Sequence, residues 1–257
     1  MSWIITGTQK LDPDAALYID RVQVADNASL EPAVVTAINA FVVGCKADGI
    51  WNAIKASCIL AGARTLSGAL VPLAGIAPTN FNFVAGDYDR KTGLVGNGST
   101  KYLNSNRNNN ADPQNSNHNA VYVKSLNLVT TYTFIGAANP FYEVGANRIG
   151  VTGLGLTYGH SRNKSTYVSN KANVLGFYGI NRSSSSNFTL RANDGNEAVL
   201  SASEAPSSRN VIVFGRAPNL ALSSARIAFY SIGESLNLAL LDSRVTTLIN
   251  AFAAAIP

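Results

Sequence analysis

The chain has 257 residues, of which 46% are hydrophobic and only 14% are charged, with a formal net charge of +5. This length and apolar content suffice for one large β-sandwich with a small helical appendage. Lys and Arg residues are scattered, and the densest group, Arg162, Lys164 and Lys171, is diluted by Ser and Asn. We therefore expect no nucleic-acid binding, which needs a concentrated basic surface.

Cys45 and Cys58 are the only cysteines, and both stand in apolar surroundings. We expect two buried thiols and no disulfide framework. Residues 1–6 lack the basic region and long apolar stretch of a secretory signal. No apolar run approaches the roughly 18 residues of a membrane span. These features predict assembly in a reducing cytoplasm and no membrane insertion.

A mainly helical lead-in is predicted for residues 1–60, and we expect it to serve as an attachment segment. It should begin with a short strand over residues 3–6. Asp12 followed by Pro13 has the pattern of a helix start, and this helix should end near residue 26. A second helix is predicted from residue 29 to residue 48, because one apolar stripe recurs at helical spacing: Val34, Ile38, Phe41 and Cys45. A short third helix is expected over residues 51–56.

The residue pattern changes after residue 60, and residues 61–257 are predicted to form a β-sandwich with a closing helix. Gly, Pro, Asn and Ser separate short runs rich in Val, Ile, Tyr and Phe up to residue 231, which is typical of sandwiches and jelly rolls. Asn237 is the expected cap of a C-terminal helix with an apolar stripe at Leu241, Val245, Leu248 and Phe252. Residues 194–197 are expected to form a hairpin turn between a strand that ends at Arg191 and one that starts at Ala198.

Common catalytic signatures are absent from the sequence, which has no metalloprotease, nucleophile-elbow, P-loop or Cys-x-x-Cys motif. The two histidines, His118 and His160, stand among Gly, Ser and Asn and are expected to be exposed loop residues. Asp87 and Asp89 form the one notable acid pair, which suits a calcium ion better than glycoside cleavage. Arg90 and Lys91 follow directly, so a salt-bridged turn is the simpler interpretation. We expect no cofactor, with calcium at Asp87 and Asp89 left open.

Residues 104–119 are rich in Asn and predict a long surface loop. Such a loop offers amide groups to a sugar, and Tyr rings in Gly-rich strands offer an apolar face and a hydroxyl. The candidate glycan-binding residues are therefore Asn106, Asn108, Asn110, Asp112, Tyr158 and His160.

Two stretches of sequence resemble laminin-G/concanavalin A-like lectin sandwiches. Residues 226–236 with the helix that follows resemble the closing strand and helix of that fold, and residues 93–103 resemble an early strand pair. Together with residues 38–51 and 81–88, they also resemble virion proteins of tailed phages, of the tail-fibre or baseplate type. The resemblance implies a concanavalin A-like jelly-roll sandwich, mainly β, with an N-terminal helical lead-in and a C-terminal helix.

Three functions follow from this resemblance. The chain is expected to be a virion structural protein, a tail-fibre or baseplate adhesion component that contacts host surface glycan. A capsid decoration (cement) protein is the alternative, and a glycan-degrading enzyme on the same sandwich is disfavoured because no convincing acid pair is present. The expected partners are other virion proteins and further copies of the chain, in a homotrimer, because phage appendages stand on symmetric axes.

Overall fold

The structure is a computed structural model that describes residues 10–126, 130–138, 144–217 and 221–257. For residues 171 and 172 the structure describes the backbone alone. The strand expected over residues 3–6 lies outside the described residues.

The described ranges contain four α-helices and fifteen strands. The helices are α1 (Pro13–Asp26), α2 (Pro32–Ala47), α3 (Leu66–Ala69) and α4 (Leu238–Ala255). The strands are β1 (Ile54–Ile59), β2 (Thr79–Phe81), β3 (Tyr88–Asp89), β4 (Gly93–Val95), β5 (Tyr102–Asn108), β6 (Asn117–Ser125), β7 (Tyr132–Ala137), β8 (Ala146–Val151), β9 (Leu156–Asn163), β10 (Tyr167–Ala172), β11 (Gly176–Arg182), β12 (Asn187–Ala192), β13 (Gly195–Leu200), β14 (Asn210–Val213) and β15 (Arg226–Gly233).

The strands form two antiparallel sheets. Within the described residues, sheet I has eight strands in the order β13–β12–β11–β6–β15–β4–β3, with β1 also paired to β15. Sheet II has seven strands in the order β10–β9–β8–β7–β14–β5–β2. Strand β6 lies along one edge of β15, whereas β1 and β4 share its other edge. This confirms the expected β-sandwich, mainly β, with N-terminal helices and a C-terminal helix.

One apolar core lies between the two sheets. Val121 and Val123 of sheet I meet Phe134 and Ile149 of sheet II, and all four side chains are fully buried. The rings of Phe134 and Tyr178 lie 5.0 Å apart between centroids. Burying each such side chain stabilises the fold by ~1.5–3 kcal/mol, so this layer holds the sheets face to face.

A second apolar core lies between the helices and the other face of sheet I. On β6, Ala120 and Tyr122 alternate with the residues that face sheet II and point toward the helices. Phe229 of β15 contacts Phe41 of α2 edge-on, with 5.9 Å between ring centroids. The stripe of α4 expected from the sequence is buried in this core: Leu241, Val245, Leu248 and Phe252. The molecule therefore has three layers, with sheet I in the middle.

The helix starts expected at both ends of the chain are confirmed. The Asp12 carboxylate accepts the backbone N–H of Asp14 at 3.0 Å, and Pro13 lies in the first turn of α1. The Asn237 side chain accepts the N–H groups of Ala239 and Leu240 at 2.9 and 3.3 Å. These contacts satisfy donors that have no partner inside the helix.

The boundaries of two N-terminal elements differ from the expected ones. Helix α2 begins at Pro32 rather than at residue 29. The helix expected over residues 51–56 is wrong, because only Trp51–Ala53 forms a 3₁₀ turn and Ile54–Ile59 is strand β1. Nearly every residue of this strand is buried between the two cores, and β-branched side chains fit such a position well. Sheet I therefore begins before residue 60.

The long surface loop expected over residues 104–119 is also wrong. Strand β5 continues to Asn108 and β6 begins at Asn117, so only residues 109–116 connect the two strands. Its amides replace missing backbone partners in the interior: Asn109 donates to the carbonyl of Gly145, and Asn119 donates to the carbonyl of Asn147. The side-chain N–H groups are thereby satisfied, whereas the amide oxygens of Asn109 and Asn119 are buried without a partner among the described residues.

His160 was expected in an exposed loop but is completely buried on β9, and the same expectation is wrong for His118, which is completely buried on β6. The Nδ1 of His118 lies 2.6 Å from the carbonyl oxygen of Glu234, and its Nε2 lies 2.8 Å from the hydroxyl of Ser231. This arrangement fits the neutral ring, with Nδ1–H as donor and Nε2 as acceptor. Burial lowers the pKa of His118 to about 4 because the cationic form loses its hydration.

The two cysteines are buried as expected, and neither forms a disulfide. Cys45 lies in the helix-side core and Cys58 between the sheets. Burial raises the pKa of each thiol to about 12. Both therefore act as small apolar groups.

The expected hairpin turn joins β12 to β13. Asn193 and Asp194 have φ angles of 49° and 54°, and Ala192 pairs with Gly195 across the turn. Asn and Asp tolerate this left-handed conformation better than most residues, which explains their presence in a two-residue turn.

Helix α4 has the length and composition of a membrane-spanning helix, and it is the one such helix in the described residues. Its apolar stripe packs on α2 and on sheet I. Asp242 also lies on this buried side, where its carboxylate accepts the Arg191 Nε–H at 2.7 Å. The helix thus closes the core of the sandwich.

The buried His118 predicts a pH dependence of stability. Between its ordinary pKa of 6.5 and about 4, the unfolded chain binds a proton that the folded protein excludes, so the free energy of unfolding decreases as the pH falls. This shift corresponds to about 3 kcal/mol. In urea unfolding, the stability advantage of the wild type over His118→Gln should decrease by about this amount from pH 7 to pH 4. An advantage independent of pH would contradict the assignment.

Candidate functional site

The outer face of sheet II contains a cavity of about 350 Å³. It lies over strands β7 to β10 and the segment after β14. The described residues that line it are mostly polar: Thr131, Arg148, Thr152, Tyr158, Thr166, Val168, Arg216 and Ala221. Its volume falls in the range typical of small-ligand sites.

Strand register explains why these side chains face outward. On β9, Gly159 faces sheet I so closely that a Cβ atom there would lie 2.9 Å from Leu190 Cδ1. Its neighbours Tyr158 and His160 must therefore point to the outer face, since side chains alternate along a strand. Arg148 of β8 pairs directly with His160 and points the same way.

Tyr158, Arg148 and His160 form a connected row on this face. The Tyr158 hydroxyl lies 2.7 Å from that of Thr133, and the Arg148 guanidinium carbon lies 5.5 Å from the centre of the Tyr158 ring. Arg148 Nη2 lies 3.0 Å from His160 Nε2, and His160 Nδ1 lies 3.3 Å from the Asn163 carbonyl oxygen. This geometry fits a neutral His160 that accepts from Arg148 and donates to Asn163. His160 thus orients the arginine that lines the cavity.

Glycine at position 150 makes room for the tyrosine. Gly150 pairs with Tyr158 across β8 and β9, and a Cβ atom at residue 150 would lie 2.8 Å from the Tyr158 hydroxyl. A larger residue would push the ring out of place. The floor of the cavity therefore depends on a residue with no side chain.

Threonine hydroxyls line the rim. Thr131 accepts the N–H of Gly153 and Thr152 accepts the N–H of Leu156, each at 3.1 Å. A hydroxyl that accepts one hydrogen bond still has its own hydrogen to donate. Val168, 42% exposed, adds an apolar surface. The site therefore combines fixed donors, acceptors and a small apolar patch.

The Asn-rich candidates lie elsewhere. Asn106 and Asn108 line a separate cavity of about 240 Å³ beside Lys55. The Asn106 amide donates to the Ala77 carbonyl at 2.9 Å, and Asn108 accepts the N–H of Asn110 at 3.1 Å. These side chains shape their own turns, and they do not join Tyr158 and His160 in one site.

Asp112 is buried inside one end of the sandwich. Its two oxygens accept from Nε and Nη2 of Arg107 at 3.0 and 2.5 Å. A carboxylate with only 4% exposure in such a two-point pair is not presented to a sugar at the surface.

Asp87 and Asp89 serve the turns around β3. Asp87 accepts the N–H of Val84 at 2.8 Å and forms an ion pair with Lys101. Asp89 accepts from both the backbone N–H and the hydroxyl of Thr92. The hydroxyl bond is the main reason why the pKa of Asp89 lies below its usual value. Among the described residues, no cluster of three or more His, Cys, Asp or Glu side chains could hold a metal ion.

Sequence reasoning identified Tyr158 and His160 and missed the two arginines and three threonines of the cavity. Arg148 lies in a strand whose other residues are mostly small or apolar. A cation inside such a strand is a signal for a special environment, because Arg is rarely buried without a partner. The threonines carry no comparable signal.

Comparison with known proteins gives the following results. No family model matches the sequence, and no curated protein is significantly similar to it. Weak structural likenesses exist to a mutant of Trypanosoma rangeli sialidase displaying trans-sialidase activity (10% identity, TM-score 0.47, 84% of this chain and 39% of the other). A second is to the botulinum neurotoxin serotype D binding domain (16% identity, TM-score 0.48, 76% of this chain and 52% of the other). A third is to the Ruminococcus gnavus sialidase domain CBM40 bound to α2,3-sialyllactose (14% identity, TM-score 0.39, 52% of this chain and 84% of the other). The chain spans about half or less of the first two proteins.

Because both carboxylates are already engaged, we expect calcium to leave the stability of the protein unchanged. Because Lys101 and the β3 turn already use the carboxylates of Asp87 and Asp89, adding millimolar calcium or a chelator should shift the melting temperature by less than about 1 °C. Differential scanning calorimetry provides the measurement, with Asp89→Asn as the matched variant. A calcium-dependent rise in the wild type that this variant loses would overturn the assignment.

Proposed function

We propose that the chain is a carbohydrate-binding protein whose sugar site is the cavity on the outer face of sheet II. The observation that carries the proposal is the concentration of fixed polar groups in one cavity beside an apolar patch. Ligand sites typically combine a mainly preformed cavity with a few positioned polar groups.

The chemistry of the lining suits a sugar. Sugar hydroxyls both donate and accept hydrogen bonds, while the C–H faces of the ring are apolar. Arg148 donates only, the hydroxyls of Thr131 and Thr152 do both, and Val168 offers apolar contact. Most of these groups lie on strands or directly beside them, so binding orders few side chains and loses little entropy.

We further propose that the protein binds glycan without cleaving it. Glycosidases usually need two carboxyl groups on either side of the scissile bond. The described residues that line the cavity include no carboxylate, and Asp87 and Asp89 are engaged in a turn of sheet I. The proposed role is therefore adhesion.

A large side chain placed in the cavity should weaken glycan binding. Thr166 is exposed on its rim, and Thr166→Trp places an indole ring in the space. We expect at least a roughly tenfold loss of affinity for any glycan that the wild type selects from an array, with stability changed by less than about 0.5 kcal/mol. Isothermal titration calorimetry measures the affinity.

Thr36→Trp is the matched control, because Thr36 is exposed on α2 and lines a different groove between α2 and α4. This variant should bind as the wild type does. Incubation of the wild-type protein with the glycan that it binds should release no reducing ends, because the protein is proposed not to cleave it. If the wild type binds no glycan at millimolar concentration, or if both variants bind equally, the cavity is not the site.

The setting we propose is a phage virion, with the chain as a homotrimeric adhesion component of the tail. This part rests on the sequence resemblance and on the proposed sugar site. Mass spectrometry should detect the chain in purified particles, immunoelectron microscopy should locate it at the tail, and purified protein should compete with particles for host cells. Labelling of the capsid would instead favour a decoration protein, and absence from particles would refute the setting.

A further inference from the structure

One end of the sandwich interior contains two completely buried arginines. Arg162 on β9 and Arg182 on β11 both have 0% exposure. Arg182 Nε donates to the carbonyl of Ser161, the residue next to Arg162, at 2.7 Å. The two cations are close enough for the charge of Arg182 to affect the ionisation of Arg162. Their burial is unusual, because Arg is almost never fully buried without a partner of opposite charge.

Arg162 reaches this position through a β-bulge. Across β8 and β9, Asn147 pairs with Ser161 and Ala146 pairs with Asn163, so Arg162 is the extra residue. Its φ angle of 54° lies in the left-handed region, which is strained for a residue other than glycine. The fold therefore accepts backbone strain to bring this cation into the interior.

The hydrogen bonds of the two side chains are unequal. Arg182 Nη1 donates to the carbonyls of Ser184, Asn187 and Ser201 at 3.0–3.1 Å. Arg162 makes one long contact, from Nη2 to the carbonyl of Asp112 at 3.4 Å. Arg162 Nε, Arg162 Nη1 and Arg182 Nη2 are buried and have no acceptor among the described residues. Three charged donors thus remain unsatisfied in the same region.

The nearby charges do not balance. Asp112, whose charge acts on Arg162, is engaged by Arg107 at both oxygens. That pair is neutral as a whole, which leaves the charges of Arg162 and Arg182. Burial lowers the pKa of each guanidinium to about 10, so both still carry a proton at neutral pH. An uncompensated charge in a protein interior costs several kcal/mol.

We propose that a small inorganic anion of the size of chloride binds to Arg162 and Arg182 inside this end of the sandwich. The unsatisfied N–H groups supply the donors, and the anion compensates the excess charge. Because both side chains are completely enclosed, a small ion fits this position better than an organic acid. Such an ion binds the folded chain and not the unfolded one, so it stabilises the fold.

The test is the dependence of the melting temperature on chloride at constant ionic strength, with gluconate as the replacing anion. Above the dissociation constant, each tenfold increase in chloride should raise the folding equilibrium constant about tenfold, which corresponds to a shift of about 3–6 °C. Bromide should reproduce the effect. Arg162→Met should abolish it, whereas Arg21→Met, on the exposed surface of α1, should retain the wild-type dependence.

Diffraction from crystals grown in bromide provides a second measurement that does not require Arg162→Met to fold. An anomalous peak within hydrogen-bonding distance of Arg162 and Arg182 is the expected result. A melting temperature independent of chloride, or a site that contains only water, would overturn the proposal. A chloride dependence that persists unchanged in a folded Arg162→Met protein would overturn it as well.

Discussion

Strand β15 is buried on both faces, and the rest of the structure depends on this constraint. Its residues Ile227, Tyr230 and Ile232 pack in the core between the sheets, while Ala228 and Phe229 face the helices. Both of its edges are also paired, one by β6 and the other by β1 and β4. Each apolar layer therefore includes this strand. The helices α2 and α4 are needed because the second face would otherwise lie in water.

Neutral polar side chains form many of the hydrogen bonds in the interior of this fold. Ser57 donates to the carbonyl of Tyr230 at 2.6 Å, and Asn119 donates to the carbonyl of Asn147 at 3.1 Å. Amides and hydroxyls can satisfy buried backbone groups without the desolvation cost of a charge. The abundance of Asn and Ser and the charged fraction of only 14% therefore reflect the interior as well as the surface.

The two sheets differ in what covers them, and this difference determines where a ligand can bind. Sheet I is enclosed between the helices and sheet II, whereas sheet II turns its outer face away from α1, α2 and α4. Arg148 and Tyr158 lie on that face, where Arg148 contacts the Tyr158 ring and donates a hydrogen bond to His160. The buried Arg162 belongs to the same strand as Tyr158 and His160, but the bulge turns it toward the interior. One strand thus contributes to both proposed binding sites.

The sequence by itself determined the elements that depend on local rules. The caps at Asp12 and Asn237, the stripe of α4 and a hairpin turn after Arg191 all follow from short-range hydrogen bonding and periodicity, although the turn lies at Asn193 and Asp194 rather than over residues 194–197. The short apolar runs separated by turn residues likewise predicted a β-rich region up to residue 231, which contains most of the strands. Tyr158 and His160 were selected for their chemistry, and both lie at or beside the cavity.

Only the tertiary structure decided which side of each strand meets water. A period of two reveals that a strand has two faces, but the pairing register and the covering layer determine which face is buried. His118 and Asn119 therefore looked exposed and are buried, and residues 54–56 looked helical and belong to a strand that pairs with β15. Arg148 and His160 come together because β8 and β9 pair at those two residues, and a distance between strands is not encoded in local sequence.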